Sequence, residues 1–451
     1  MLGKSPNQSQ KHLFQPLLQD FINLEHELVL LSKEINWNAF EDEFSDLYSG
    51  TGAPAKPIRL MIGLLILKQV FDYGDETLMP AWIGSPYFQY FCGEAHFQWD
   101  SPCDPSDLVH FRKRIGEKGV EKILSQSIKV HGKDAMSDEV IFDTTAQEKN
   151  ITYPTDTKLR VKIIKKCNKI AKSLAITQRR SYKCEVKKLL IITRFSNHPK
   201  RKKEARRAAK RIHIIAGRLV RELERKIPEN LIKKYESSLN LFNRVLTQKK
   251  EDKNKIYSLH EPEVACIAKG KAHKPYEFGS KVSLAITRET NIIVAAVDFN
   301  GNPHDTKTIA PTLEQYERLT GQKAKIVIAD RGYRGRKTVD GTQIVIPDNS
   351  QGKTGYEKTK ARKRFRRRAA IEPVISHTKH QYRMARNYLK GKLGDKINVM
   401  MAAAAFNFKS RMNKLIQQLL WALNFLMLCA LGKLKLTLRP DLVLDCGVLK
   451  D

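Results

Sequence analysis

Val140-Ile141-Phe142-Asp143 and Ile326-Val327-Ile328-Ala329-Asp330 decide the fold. Each is a short apolar run that stops on an aspartate, the pattern of a buried strand ending at a sheet edge. In an α/β sheet, side chains at the carboxyl ends of neighbouring strands share one edge, where ligands bind. The two aspartates can therefore meet although 187 positions separate them. A third acid, Glu372, stands in a basic helical pattern, Phe365-x-x-Arg368-x-x-x-Glu372-x-x-x-x-x-x-Lys379. On one continuous helix Arg368, Glu372 and Lys379 fall at i, i+4 and i+11, on one face. Two close carboxylates repel, and one is driven towards protonation unless a cation intervenes. Three converging carboxylates form the all-oxygen donor set that Mg²⁺ prefers. A pair of such ions activates a water or hydroxyl and stabilises the leaving oxygen of a phosphodiester. The ordinary alternatives are turn-capping aspartates and an Arg368–Glu372 surface pair worth only ~0.2–0.5 kcal/mol. Pro373 removes a helical N–H and either kinks the helix or restarts it.

The surroundings favour a polyanionic substrate. Lys and Arg number 81 against 48 Asp and Glu, a formal net charge of +33. Each neutralised phosphate releases counterions, so such an excess strengthens nucleic-acid binding. Charge alone does not separate DNA, RNA and an anionic membrane. The 451 residues are enough for about two to four domains. A hydrophobic content of 41% excludes global disorder. The seven cysteines form no Cys-x-x-Cys pair, so neither a zinc site nor a disulfide framework is indicated, and reduced thiols in a cytosolic protein are expected. The polar start MLGKSPNQSQKH lacks the apolar core of a signal peptide.

Residues 15–131 read as a helical N-terminal domain. Its clearest helix follows Pro57 through Ile58–Lys68, with proline at a favoured helix start. Another spans Ser106–Arg114, capped by Ser106 or Asp104. Trp82–Pro105, rich in aromatics, Gly and Pro, reads as a packed loop. Arg112, Lys113 and Arg114 cluster beside a helix, which makes Arg112 and Arg114 candidate DNA contacts. Residues 138–410 read as a mixed α/β domain. Its expected strands are Val140–Asp143, Ala146–Tyr153, Lys281–Arg288, Ile292–Phe299 and Gln343–Ile346. Glu289-Thr290-Asn291 forms a hairpin turn, a helix covers Thr306–Thr320, and a basic helix begins near Lys358. Residues 157–250 interrupt that domain as a very basic helical insertion. Ile212, Ile215, Leu219 and Leu223 give it one packing face, and the density of like charge favours a polyanion contact. Residues 411–451 form an apolar helix and tail. Leu415–Leu431 falls short of the ~20 apolar residues of a membrane span and reads as a core or subunit-contact helix.

Further motifs carry a resemblance. Asp330-Arg331-Gly332-Tyr333, Arg367-Arg368-x-x-Ile371-Glu372-Pro373-x-x-x-His377-x-Lys379 and Arg383-Met384-x-Arg386-Asn387 resemble the DDE transposases of bacterial insertion sequences. The match is to the IS-five type within the IS-four-like group, whose signature is Tyr-x-x-Arg-x-x-x-Glu-x-x-x-x-x-x-Lys. Phe365 replaces its Tyr and loses a hydroxyl. Tyr257-Ser258-Leu259-His260-Glu261, Glu277-Phe278-Gly279 with Lys281, and Asn302-Pro303-His304-Asp305 also match. So does the helical stretch from Pro57 to Gly119 with Tyr87-Phe88-x-x-Phe91-Cys92-Gly93.

The resemblance implies a ribonuclease-H-like catalytic core, with Asp143, Asp330 and Glu372 as catalytic and metal-binding residues and two Mg²⁺ (or Mn²⁺) ions. It implies hydrolysis at the element's terminal inverted repeats and attack of the freed 3′-OH on target DNA. The expected DNA contacts are Arg368, Lys379, Arg331, Arg112, Arg114 and Lys281. The expected form is a homodimer acting on bacterial nucleoid DNA in the cytoplasm, with no membrane partner. No Ser, Cys or Tyr stands in an activating context, which leaves water and a DNA hydroxyl as the nucleophiles. His260-Glu261, His273 and His304-Asp305 are secondary candidates for which a turn or structural hydrogen bond is the expected role. The competing readings are a non-catalytic nucleic-acid binder retaining this fold and a general metal-dependent nuclease.

Overall fold

An eight-stranded mixed sheet organises the chain, with strand order β2-β3-β1-β5-β7-β6, β4 added to β3 and β8 added to β1. The strands are β1 (Glu139–Lys149), β2 (Ala265–Ala268), β3 (Tyr276–Thr287), β4 (Ile293–Phe299), β5 (Ile326–Ile328), β6 (Thr338–Val339), β7 (Thr342–Val345) and β8 (Arg386–Asn387). The structure, a computed structural model, describes residue 3 and residues 15–48, 51–52, 54–249, 251–268, 274–335, 337–347 and 354–430. The central strand β1 runs antiparallel to β3, with Asp143 opposite Leu284, and parallel to β5, with Ile141 opposite Ile328. Beyond β5, β7 is again parallel, with Val345 opposite Ile328. Extending the β1–β5 register by two residues sets Asp143 level with Asp330.

Seven helices precede the sheet among the described residues: α1 (Leu18–Phe21), α2 (Glu27–Glu34), α3 (Asn38–Phe44), α4 (Ile58–Val70), α5 (Asp75–Ile83), α6 (Pro86–Phe91) and α7 (Pro105–Lys129). The insertion holds α8 (Asp156–Ser173), α9 (Lys183–Thr193), α10 (Lys202–Lys226) and α11 (Glu229–Thr247). Then come α12 (Ile309–Thr320), α13 (Gly355–Arg368), α14 (Ile371–His380) and α15 (Gly391–Ala430).

Several elements differ from their sequence reading. Val140–Asp143 and the start of Ala146–Tyr153 are one strand, which stops at Lys149, because the polar Thr145, Gln147 and Lys149 are buried by neighbours on both sides. Asp143 is thus inside a strand, not at its end. The Trp82–Pro105 stretch contains α6, whose Pro86 occupies the first turn and whose N-cap Ser85 accepts from the Phe88 N–H. Helix α7 is longer than read and bends at Gly116, where φ is +61°, a conformation that costs glycine little. Arg368 and Glu372 lie on two helices, α13 and α14, joined through Ala369-Ala370. The single-helix alignment of Arg368 with Glu372 and Lys379 therefore does not hold. Pro373 falls in the first turn of α14, where its missing N–H costs nothing.

The N-terminal helices do not have a separate interior. One hydrophobic core runs from Leu28 on α2 through α4, α7 and the sheet to Met412 on α15. Helix α4 is apolar on every side and buried on nearly every side. Asn407 on α15 completes this interior. Its amide donates to the Ile293 carbonyl (2.8 Å) and to Ser127 Oγ (3.1 Å), and its oxygen accepts from the Ile293 N–H (2.9 Å). A polar side chain so deep stays satisfied by capping the free edge of β4. The insertion has a second core of its own, in which Ile212, Ile215, Leu219 and Leu223 of α10 meet Ile163 and Cys167 of α8 and Phe242 of α11. The far part of α15 exposes Leu420, Trp421, Leu426 and Met427. Among the described residues, no helix is long and apolar enough to cross a membrane.

The end of β1 enters a buried ionic network. Lys149, 4% exposed, lies 2.6 Å from Asp395 and 3.6 Å from Glu261. Asp298 on β4 sits nearby, bonded by the Ser280 hydroxyl. Burial pushes its carboxyl up to about 7, Ser280 opposes the rise and Asp395 adds to it. An acid with a folded pKa above its unfolded value loses stability as pH climbs from its unfolded pKa to its folded one. Asp298→Asn should therefore raise the melting temperature at pH 8 and leave it nearly unchanged at pH 4. A shift of equal size at both pH values would contradict this assignment.

Candidate active site

Asp143 projects from the middle of β1 with its side chain about one-fifth exposed. Its Oδ1 accepts from the Thr144 N–H at 2.7 Å, and its Oδ2 lies 3.4 Å from Nη2 of Arg368. Asp330 follows β5 and caps the short turn Arg331–Tyr333, its Oδ1 accepting from the Gly332 N–H at 2.8 Å. Its Oδ2 lies 3.8 Å from the same Nη2 of Arg368. One guanidinium nitrogen thus stands between the two aspartates, and their facing oxygens are no farther apart than those two distances combined. The turn cap and the pairing coexist, each using a different oxygen of Asp330.

A third aspartate joins them that the sequence reading left outside the catalytic set. Asp305 Oδ1 accepts from Thr144 Oγ1 and pairs with Lys281 Nζ, each at 2.7 Å. Its other oxygen faces Gly332: a Cβ there would meet Asp305 Oδ2 at 2.9 Å and Asp330 Oδ1 at 3.0 Å. Gly332 is therefore glycine because two carboxylates close over it. The pattern Pro303-His304-Asp305 was visible in the sequence, but its convergence with Thr144 depends on the loop after β4. Tyr333, 1% exposed, packs beneath the group, and burial followed by Asp143 and Asp305 raises its phenol well above the usual range.

Asp143 carries the electrostatic mark of crowding. Burial pushes its carboxyl up to about 6, Arg368 and the Thr144 N–H oppose the rise, and Asp330 and Asp305 reinforce it. The conflict inferred from two neighbouring acids is thus present, with Arg368 as the cation between them.

Glu372 occupies the first turn of α14, which Ile371 and Val374 anchor in the core. Its side chain is exposed and makes no hydrogen bond or ion pair among the described residues. Among those residues, no group of three or more His, Cys, Asp or Glu side chains is arranged to hold a metal ion. The donor chemistry nonetheless suits a hard divalent ion: clustered carboxylate oxygens already drawing in one cation.

The expected DNA contacts divide. Arg331 is exposed on the turn after Asp330, and Lys379, in the last turn of α14, is half-buried. Arg114 is exposed, with its guanidinium 4.7 Å from the centre of the Tyr48 ring. Lys281 is turned inwards onto Asp305 and the Pro303 carbonyl (2.8 Å) rather than out to solvent. Arg112 is a correction. It is 6% exposed and grips Asp75 with both Nη atoms, at 2.9 and 2.6 Å, while Lys68 reaches the same carboxylate at 2.6 Å. Burial works against the Asp75 charge, but Arg112 and Lys68 prevail and hold its pKa down at about 2. This arginine braces α4, α5 and α7 from within.

His260 and His304 each bond within their own turns, to Ser258 Oγ and Thr306 Oγ1 at 2.9 Å. His273 lies outside the described residues.

Comparison with known proteins gives this constellation a setting. Residues 16–114 match the family described as Transposase domain (DUF772), and residues 247–408 match Transposase DDE domain. The second match contains Asp305, Asp330, Arg368 and Glu372; β1 with Asp143 and most of the insertion fall between the two. A protein of Rhizobium meliloti described as uncharacterized protein ORF8 in the nfe locus is 35% identical over 203 residues. That alignment covers 44% of this chain and 98% of the relative. No solved structure matches.

Proposed function

The chain belongs to the DDE transposase family, and from that premise we propose that it binds the ends of an insertion sequence, hydrolyses their phosphodiester bonds and joins the freed 3′-OH to target DNA. The observation that carries the proposal is the meeting of Asp143 and Asp330, from adjacent parallel strands, at one guanidinium of Arg368. The core is proposed to be ribonuclease-H-like. Three antiparallel strands, β4-β3-β1, continued by parallel β5 and β7, support that reading.

In this mechanism Asp143, Asp330 and Glu372 would hold two Mg²⁺ or Mn²⁺ ions. Bound there, the metal supplies the Lewis acid that activates a water or 3′-hydroxyl and neutralises charge on the leaving oxygen. The protein's own groups prepare the site. Burial raises the Asp143 carboxyl pKa, with Asp330 and Asp305 adding to the rise, and a divalent cation beside it would favour the ionised form. Asp305, fixed by Thr144 and Lys281, stands beside the pair and ties the loop after β4 to the middle of β1. Arg368 neutralises the aspartates and can turn to a scissile phosphate as a bidentate fork. Arg331, Lys379 and Arg114 are the proposed phosphate contacts around it. The enzyme is proposed to act as a homodimer of the IS-five type on nucleoid DNA in the cytoplasm.

The test is purified protein with Mg²⁺ on a plasmid bearing the inverted repeats that flank the gene. The expected products are ends with free 3′-OH groups and their covalent joints to target DNA. Cutting without end preference would favour a general nuclease. A gel shift without any cleavage would favour a non-catalytic binder.

Arg368→Gln should leave the aspartates without their cation. We expect the joining rate to fall by about 10²-fold, since one preorganised charged donor contributes roughly that much. Single-turnover kinetics at saturating DNA would check this, and an unchanged rate would remove Arg368 from the site.

A further inference from the structure

The insertion carries 28 Lys and Arg against 7 Asp and Glu over residues 156–247, about two-thirds of the net charge of +33. That charge is not spread evenly over a solvated surface. A cleft of about 670 Å³ opens between α8, the end of α9 and the start of α10. Lys158, Lys162, Lys165, Arg194 and Arg206 line it, and no acidic residue does. None of these five cations has a carboxylate within 4 Å among the described residues. The insertion's acids are turned elsewhere: Glu185 pairs with Arg211, Glu222 with Lys226, and Asp156 with Arg160 and Lys255.

The remaining lining sets hydroxyls beside the apolar Val161, Leu190, Ala205 and Ala209. Thr152, Thr155, Thr157, Thr193 and Ser196 bring hydroxyls to the same walls. Lys162 is half-buried and donates to Thr152 Oγ1 at 2.9 Å. Burial depresses its ammonium, and Lys158 and Lys166 add to the depression. Five like charges converging without an acidic partner repel one another, and a bound anion relieves that strain. One lining residue, Thr152, follows the end of β1 by three residues. Thr152 lies nine residues beyond Asp143, within about 30 Å at the rise of an extended chain. Eight to nine base pairs of duplex span roughly the same distance.

We propose that this cleft is a phosphate-backbone site that holds DNA flanking the bond being cut. It rests on the transposase reading in its choice of DNA as the polyanion. Contacts of this kind position a duplex without reading its sequence.

The probe is a 30-base-pair fluorescent duplex of arbitrary sequence, bound by the full-length protein and followed by anisotropy across a salt titration. Removing one cation from a phosphate reduces the slope of log K against log salt by about 0.9. Lys158→Gln/Lys162→Gln/Lys165→Gln should reduce it by about 2 to 3 and weaken binding at least roughly tenfold at 0.1 M salt. Arg194→Gln/Arg206→Gln, on the opposite wall, should reduce the slope by about 1 to 2, and decides the matter if the triple variant fails to fold. Lys169→Gln/Lys172→Gln/Lys233→Gln removes equal charge outside the cleft and should change the slope by less than half as much. Folded cleft variants with wild-type slope and affinity would overturn the proposal, as would an equal effect from the off-cleft triple. The transposase reading fails separately, if the wild-type protein shows the slope difference yet never cuts or joins DNA.

Discussion

Asp143→Asn should lower DNA cleavage and joining by about 10³-fold or more while DNA binding changes by less than about threefold. The size follows from the role proposed for the carboxylate: losing one anionic ligand forfeits several kcal/mol of transition-state charge stabilisation, and about 4 kcal/mol is a factor of 10³. The substitution is nearly isosteric, and the Asn carbonyl can still accept from the Thr144 N–H that Asp143 Oδ1 now accepts from. The loss would therefore report charge rather than a collapsed strand. Asp330→Asn should behave alike, and the double variant should be little worse than either single one, because residues acting as one unit are not additive. Product formation on end-bearing DNA, with anisotropy as the binding control, measures both. Wild-type activity in either single variant would remove the aspartate pair from the chemistry.

The second large effect lies far from the chemistry. Asp75→Ala should destabilise the fold by about 3–5 kcal/mol, because it leaves Arg112 and Lys68 buried without their shared counter-charge. Burial already lowers the Lys68 pKa to about 8, with Arg112 adding to the fall and Asp75 resisting it. Without Asp75 that ammonium should shed its proton more readily, so the variant should recover part of its stability at higher pH. Chemical denaturation of wild type and variant at pH 7 and pH 9 tests both statements. A loss below about 1 kcal/mol would show that the triad is solvated and that Arg112 is available to DNA after all.

That reversal at Arg112 shows how much of the molecule was legible from its residues. The three neighbours Arg112, Lys113 and Arg114 read as one basic cluster, yet a helix turns about 100° per residue. Leu108, Arg112, Ile115 and Gly119 share a face, and that face is buried. The periodicity was sufficient to find this, and the charge run obscured it. Strand β1 failed for the opposite reason. Apolar runs mark strands buried by side-chain type, whereas Thr145, Gln147 and Lys149 are buried by pairing with β3 and by partners on α15. The stop at Asp143 was real as a change of chemistry but not as an end of structure.

The acids themselves were legible, since few groups other than ligands or caps explain a carboxylate after an apolar strand. The inference from topology was that all three acids meet; Asp143 and Asp330 share Arg368, whereas Glu372 forms no three-acid group with them among the described residues. Asp305 was not legible as a member of the group, because its place depends on how the loop after β4 folds back to Thr144. The break between α13 and α14 was foreshadowed by Pro373 but positioned at Ala369-Ala370, which carry no breaking signal.

The most direct test asks which backbone segments surround the bound metal. Fe²⁺ can replace Mg²⁺ in the full-length protein, with ascorbate and peroxide generating hydroxyl radicals at the ion, and the resulting cuts can be mapped by mass spectrometry. The account predicts cuts beside Asp143, Asp330 and Glu372, suppressed by excess Mg²⁺ and absent in Asp143→Asn. Cuts confined to other segments, or a pattern near the aspartates that never includes Glu372, would contradict it.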